Sequence, residues 1–412
     1  MSLNPASLAK SRDWPHGSQL TCCRFVPAPS ATEADLVAAG HDGGLHLFSI
    51  EGKLLASRAA HRGWIEGLCW TPDGRTLLTA DSWGQLRAWN RDWAANAADL
   101  AASTAAAPRN SGSNTAPTSL PTTAAGTPLW SVENACGSWL RDMAVSGDGR
   151  LVAVCGNEPV VRVYAVADGK LVHELRGHDQ PVYSVVFSPD GASLVSGDLR
   201  GGLIDWNPRT GQLQRRLAAD RLFKTYYQYA QGGVRSMTFD GAGTRLYCGG
   251  FEGTNANQAQ GNPLVLVLDW KTGTIESTLS PTPALNGPIM HVAWHPSGSS
   301  AGSAPAPGSS AGSAPAPGSS AGSAPAPGWI IASGSSEGGG VLWVWRVGET
   351  AVVHHVKSPT SLRRFDIASD GVRLAVAAFG NLDGQRGGNG RRLDKDGNYP
   401  DFGGLLALYQ WS

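Results

Sequence analysis

Ten histidines, 33 carboxylates and six cysteines in a 412-residue chain would suffice for acid–base, nucleophilic or metal chemistry, so their spacing decides what is available. No GxSxG elbow, HExxH pair or GxxxxGK[ST] phosphate loop is present. His354 and His355 lie side by side in an apolar outer run and read as a surface pair. Asp394-Lys395-Asp396-Gly397-Asn398 starts like a calcium loop but has no closing Glu at the twelfth position, which favours a solvated turn. The cysteines, Cys22, Cys23, Cys69, Cys136, Cys155 and Cys248, form no CxxC pair, and three of them sit in apolar runs as small hydrophobes. The expectation is a chain with no catalytic residues, no metal and no cofactor. One histidine pattern does stand out: His16, His61 and His178 each precede a large apolar residue by nine positions, at Phe25, Trp70 and Phe187. Histidines repeated in register are structural partners more often than ligands.

That register belongs to a longer repeat. Each copy has an apolar run, a Pro/Asp/Gly turn, a second apolar run, a Gly-rich hairpin and a third run ending in an aromatic. The fullest copy spans Pro181 to Leu217, and the first runs close at Phe25, Trp70, Val145, Phe187, Phe239, Trp294 and Ile367. The turns that follow (TPDG from Thr71, SPDG from Ser188, ASDG from Ala368) suit tight reversals, because Pro presets φ and Gly accepts a positive one. Four stretches lengthen the interval: 90–128, 250–262, 299–328 and 380–404, the third made of three copies of SSAGSAPAPG. Without them the period is about 44 residues, that of a four-stranded propeller blade. A fourth run follows six of the copies, and the last copy ends at Trp411 with no room for one. Leu8 to Trp14, ahead of His16, is the natural substitute. The fold class predicted is all-β: a single-domain, seven-bladed β-propeller over 1–412 whose last blade is closed by the N-terminal strand.

The fourth copy resembles the WD-repeat family: Gly177-His178 stands for the family's Gly-His, Ser196 for the second-strand Ser and Trp206 for the Trp of the Trp-Asp ending. The resemblance implies a buried hydrogen-bond network of His, Ser, Trp and a turn Asp in each blade. Here Arg200 falls at the turn-Asp position and Asn207 replaces the Asp after Trp206; only the first copy pairs a turn Asp, Asp42, with its His, His16. On this reading no blade has the full network, and His16, Asp42, His61, His178, Ser196 and Trp206 are structural.

Zero formal net charge disfavours a nucleic-acid binder, and the absence of a long apolar segment or signal-type N-terminus points to a cytoplasmic protein without a membrane partner. Function is then expected on a surface. Loops joining second to third strands, and blade to blade, share one rim, and 218–233, 250–262 and 380–404 all fall there. They carry Phe223, Lys224, Tyr226, Tyr227, Tyr229, Asn255, Asn257, Arg386, Arg391 and Arg392, types that dominate binding interfaces. The insertions at 90–128 and 299–328 fall on the opposite rim and are too poor in apolar area to order. The leading expectation is a noncatalytic scaffold, a monomeric propeller within a larger assembly, binding a protein or peptide. The alternatives are an enzyme or small-ligand binder using the axial channel, and RNA or DNA binding through the Arg/Tyr loops.

Overall fold

A computed structural model describes residues 4–27, 35–94, 127–226, 229–253, 261–283, 285–296, 328–336, 339–380 and 403–412. Seven four-stranded antiparallel sheets form the ring, and an additional two-stranded hairpin decorates it. Blades 1 to 6 run in chain order from their inner strands Leu20–Phe25, Ile65–Trp70, Leu140–Val145, Val182–Phe187, Ser236–Phe239 and Ile289–Pro296. Blade 7 takes Ser361–Ile367, Arg373–Gly380 and Gly403–Gln410 from the C-terminal part and Ala9–His16 as its outer strand. The N-terminal strand pairs antiparallel from Ala9 against Gln410 to His16 against Gly404, so the ring closes as expected, with the strand starting one residue and ending two residues later than Leu8–Trp14.

Burial explains the ring. Inner and second strands are buried almost throughout, whereas outer strands alternate or are exposed, as in Leu213–Ala218. The buried apolar side chains fall into seven clusters, each shared by two neighbouring blades: Cys22 and Leu45 of blade 1 with Ile65 and Trp70 of blade 2, and so on to Leu20 and Phe25 of blade 1 with Leu406 and Leu408 of blade 7. No blade buries its faces alone, so the blades are stable only as a closed set. The predicted turns follow their chemistry: Thr71 Oγ1 donates to Asp73 at 2.6 Å, Ser188 to Asp190 at 2.5 Å, and Gly74 and Gly191 take positive φ. All six cysteines are buried and reduced; burial raises the Cys136 thiol to about 11, despite a hydrogen bond to Ser138.

Two expected loops carry more structure than their composition suggested. In 250–262 the strands Arg245–Gly253 and Gly261–Asp269 continue pairing out to Gly253 against Gly261. The connector 218–233 holds a 3₁₀ turn at Asp220–Leu222 and the hairpin Phe223–Tyr226 with Tyr229–Gly232. The bulk of the insertions at 90–128, 299–328 and 380–404 lies outside the described residues. No helix among the described residues is long and apolar enough to cross a membrane.

Candidate functional site

Blade 4 contains the complete buried network, and blade 2 its His–Thr–Trp part with an Asp beside the His, which corrects the sequence reading. His178 Nδ1 meets Asp198 Oδ2 at 2.9 Å, its Nε2 meets Ser196 Oγ at 2.7 Å, and Trp206 Nε1 donates to the same Oγ at 2.8 Å. Blade 2 repeats this with His61 Nε2 to Thr79 at 2.6 Å, Trp89 Nε1 to Thr79 at 2.8 Å and His61 Nδ1 to Asp81 at 3.4 Å. The carboxylate sits two residues after the Ser or Thr, not at the turn position of Arg200. From Asp198 it reaches the His on one side and the Arg200 and Gly202 amides on the other. Asp–His–Ser in this order resembles a hydrolytic triad, but Ser196 is fully buried and its oxygen already accepts from Trp206. A nucleophile without substrate access is a structural hydroxyl.

The same networks support an exposed feature that the sequence reading passed over. Asp81 accepts from the Gly63 and Trp83 amides, and Ser82 exchanges hydrogen bonds with the Trp64 backbone. Trp64, Trp83 and Trp139 thereby stand at 41%, 54% and 36% exposure on the rim where blades connect. Trp64 stacks on His41 at 4.1 Å and meets Trp139 edge-on at 5.2 Å, a chain of rings across blades 1 to 3.

Beside it lies the mouth of the central channel. The pairing of the inner strands skips one residue near the start of blades 1 to 4 and 6, and two in blade 7: Thr21, Glu66, Arg141, Tyr183, Met290, and Arg363 with Arg364. Arg235 holds the same place in blade 5, ahead of Ser236–Phe239. A bulged residue leaves the ladder and re-aims its side chain. In sequence this is one column, four positions before Phe25, Trp70, Val145, Phe187, Phe239, Trp294 and Ile367, and it could have been read there.

Three arginines face one carboxylate in that column. Arg141 and Arg235 each lie 4.9 Å over the Tyr183 ring, and Arg363 lies 4.6 Å over Phe379. Arg141 Nε is held by Asn157 at 2.8 Å and Arg235 Nε by the Gly232 carbonyl at 3.1 Å. Burial lowers the pKa of Arg235, and the charges of Arg141 and Arg363 lower it further. Burial raises that of Glu66 against the pull of Arg363, Arg364 and Arg141. The cluster is thus short of negative charge. Below the mouth Arg364 pairs with Asp142 at 2.7 Å, which places an ion pair across the channel.

The expected partner-binding residues fare unevenly. Phe223 is half-buried beneath Arg200 at 5.7 Å, and Lys224 is half-buried against Gly253. Ala219 and Leu222 fix this connector in the core between blades 4 and 5. Tyr226 and Tyr229 pair with each other across the hairpin. Tyr227, Asn255, Asn257, Arg386, Arg391 and Arg392 lie outside the described residues. At blade 1, Asp42 pairs with His46 at 3.0 Å, and His16 Nδ1 lies 3.1 Å from the Ser18 carbonyl.

Comparison with known proteins agrees with this division. The WD domain, G-beta repeat family matches residues 52–90 and 169–203, segments that hold His61, Thr79, Asp81 and Trp89 of blade 2 and His178, Ser196 and Asp198 of blade 4, though not Trp206. The chain is 25% identical over 176 residues to an intraflagellar transport protein 122 homolog of Danio rerio, covering 38% of this chain and 15% of that protein. It is 39% identical over 80 residues to an uncharacterised WD repeat-containing protein of Synechocystis, covering 19% of this chain and 22% of that one. WD repeat-containing protein 1 of Gallus gallus is 38% identical over 61 residues, 15% of this chain and 10% of the relative. The matched stretches therefore span less than a quarter of each relative's length.

Proposed function

Since the chain is a WD-repeat β-propeller, a fold whose members support a protein-interaction role, we propose that it is a noncatalytic scaffold binding an acidic protein segment at the mouth of its ring. The observation that carries this is the convergence of Arg141, Arg235 and Arg363 on one rim with the exposed Trp64, Trp83 and Trp139. Arg and Trp are the side chains that contribute most at interfaces, and three guanidiniums held beside a single carboxylate complement a negative partner. An apolar residue of the segment would rest on the tryptophans while its carboxylates reach the arginines. Phe223 and Lys224 extend the same rim on its far side.

The fold supports this reading over a small ligand held along the axis, because Arg364 and Asp142 already neutralise each other inside the channel. Affinity capture with the full chain, comparing wild type with the Arg141→Glu, Arg235→Glu, Arg363→Glu triple variant, tests the assignment. Loss of specific protein partners supports it. A partner set unchanged by the triple variant, or salt-sensitive capture of RNA or DNA that the variant loses, contradicts it.

A further inference from the structure

Blade 1 has lost the network that blades 2 and 4 retain. Ladder positions make the comparison direct: Thr79 faces Arg87, Ser196 faces Ile204, and the equivalent residue of blade 1, Ala38, faces His46. Counting from that position, Gly40 stands where Asp81 and Asp198 stand, and Phe48 where Trp89 and Trp206 stand. Of the four network residues only the histidine, His16, remains, with its ring 6.3 Å from Phe48. In their place are a carboxylate in the turn, Asp42, and an imidazole on the strand, His46, where blade 2 has Trp83 and Arg87 and blade 4 has Arg200 and Ile204.

We propose that His16, Asp42 and His46 form a binding site for a divalent transition metal of the zinc type. One ligand atom from each lies within 4.8 Å of the others, and His46 Nε2 and Asp42 Oδ2 are already 3.0 Å apart. Neighbouring ligands of a four-coordinate zinc stand about 3.3 Å apart, so small side-chain rotations complete the set, and two nitrogens with one carboxylate leave a fourth position for water. The surroundings are those of ligating imidazoles. His46 Nδ1 lies 2.9 Å from Ser57 Oγ, and His16 Nδ1 lies 3.1 Å from the Ser18 carbonyl and 3.2 Å from the Ser18 amide nitrogen, contacts that orient both rings. Gly44 keeps the backbone clear: a Cβ there would come within 2.7 Å of His46 Nε2 and 3.3 Å of Asp42 Oδ1.

The site would join the two ends of the ring. His16 ends the N-terminal strand that completes blade 7, whereas Asp42 and His46 belong to blade 1. A metal bound here latches the closing strand to its neighbour. This inference is independent of the partner-binding rim.

The test uses the full chain after chelator treatment. Zinc is titrated against a chromophoric chelator, and cobalt(II) serves as an absorbing probe. One equivalent per chain is expected, with a tetrahedral cobalt spectrum and slower amide exchange in Ala9–His16 on loading. His46→Gln and Asp42→Asn should each weaken binding by about 100-fold or more, and His355→Ala, at an exposed histidine, should leave it unchanged. Should His46→Gln unfold, Ser57→Ala keeps all three ligands and should still weaken binding by ~10–100-fold. Failure of the wild-type chain to take up an equivalent overturns the proposal. So does uptake that survives His46→Gln, or that disappears with His355→Ala.

Discussion

Arg364 of blade 7 meets Asp142 of blade 3 at 2.7 Å, an ion pair that crosses the axis of the ring instead of a blade seam. Burial works to lower the Arg364 pKa, and Asp142 reverses this and raises it. Asp142 also accepts from the Val185 amide, which ties the crossing to blade 4. Asp142→Ala should therefore strand a buried guanidinium and cost ~3–5 kcal/mol in urea unfolding, while Arg364→Met with Asp142→Leu should recover much of the loss. Equal loss in the single and double variants would show that packing, not charge, is at stake.

In the blade networks one hydroxyl serves two partners. Ser196→Ala leaves the Trp206 indole N–H and the His178 Nε2 without their common partner, and should cost ~2–5 kcal/mol. Thr79→Ser keeps the oxygen in blade 2 and should cost ~1 kcal/mol, mostly from the lost methyl. Urea midpoints with unchanged slopes would check both values. A Ser196→Ala protein as stable as wild type would contradict the role assigned to the network.

Acid should destabilise the ring through buried histidines. Burial, and then the charges of Arg364 and Arg24, hold the His291 pKa well below its ordinary value, and its ring packs edge-on to Phe365 at 4.5 Å. His61 and His295 are lowered by burial as well. The unfolded chain binds protons near pH ~6.5 where the folded one does not, so stability is present above that pH and falls as pH drops below it. His291→Gln should remove up to ~1.4 kcal/mol per pH unit from this slope. Identical slopes in the two proteins between pH ~6.5 and ~4.5 would contradict the assignment.

Ring closure depends on a strand from the far end of the chain. Deleting residues 4–16 would expose the Gly403–Gln410 edge and remove Leu8, which is buried against blades 6 and 7. The shortened protein should unfold less cooperatively and self-associate, and adding the peptide 4–18 in trans should reverse both effects. Sedimentation and thermal unfolding give the readout. A monomeric protein with an unchanged midpoint would contradict the closure.

Much of this was legible because strand burial repeats with the chain. The closing residues from Phe25 to Ile367 fixed seven inner strands, and the shortage of strands after Trp411 pointed to the N-terminus. The network was misread by two residues: Gly201 marks the turn, but the carboxylate that the His needs is on the strand before it, at Asp198, where local spacing gives no sign of a cross-strand partner. The mouth cluster was present in the sequence as a column four positions before the closing residues, but what marks it out, the bulge, is a property of pairing. Arg141 and Arg363 look like ordinary polar positions until the skipped ladder partner turns them to the axis, and Arg235 stands just ahead of its strand. His46 was equally silent, since its meaning depends on Ala38 opposite.

The central claim, an acidic partner at the mouth, is tested most directly by selecting a random-peptide display library on the full chain at physiological salt. Three proteins are compared: wild type, the Arg141→Glu, Arg235→Glu, Arg363→Glu variant, and a control with Arg75→Glu, Lys170→Glu and Lys271→Glu on exposed turns of the opposite rim. Wild type and control should enrich the same sequences, rich in Asp and Glu around an apolar residue, and the mouth variant should lose them. Neutral or basic sequences from wild type, or the same acidic sequences from the mouth variant, would contradict the account.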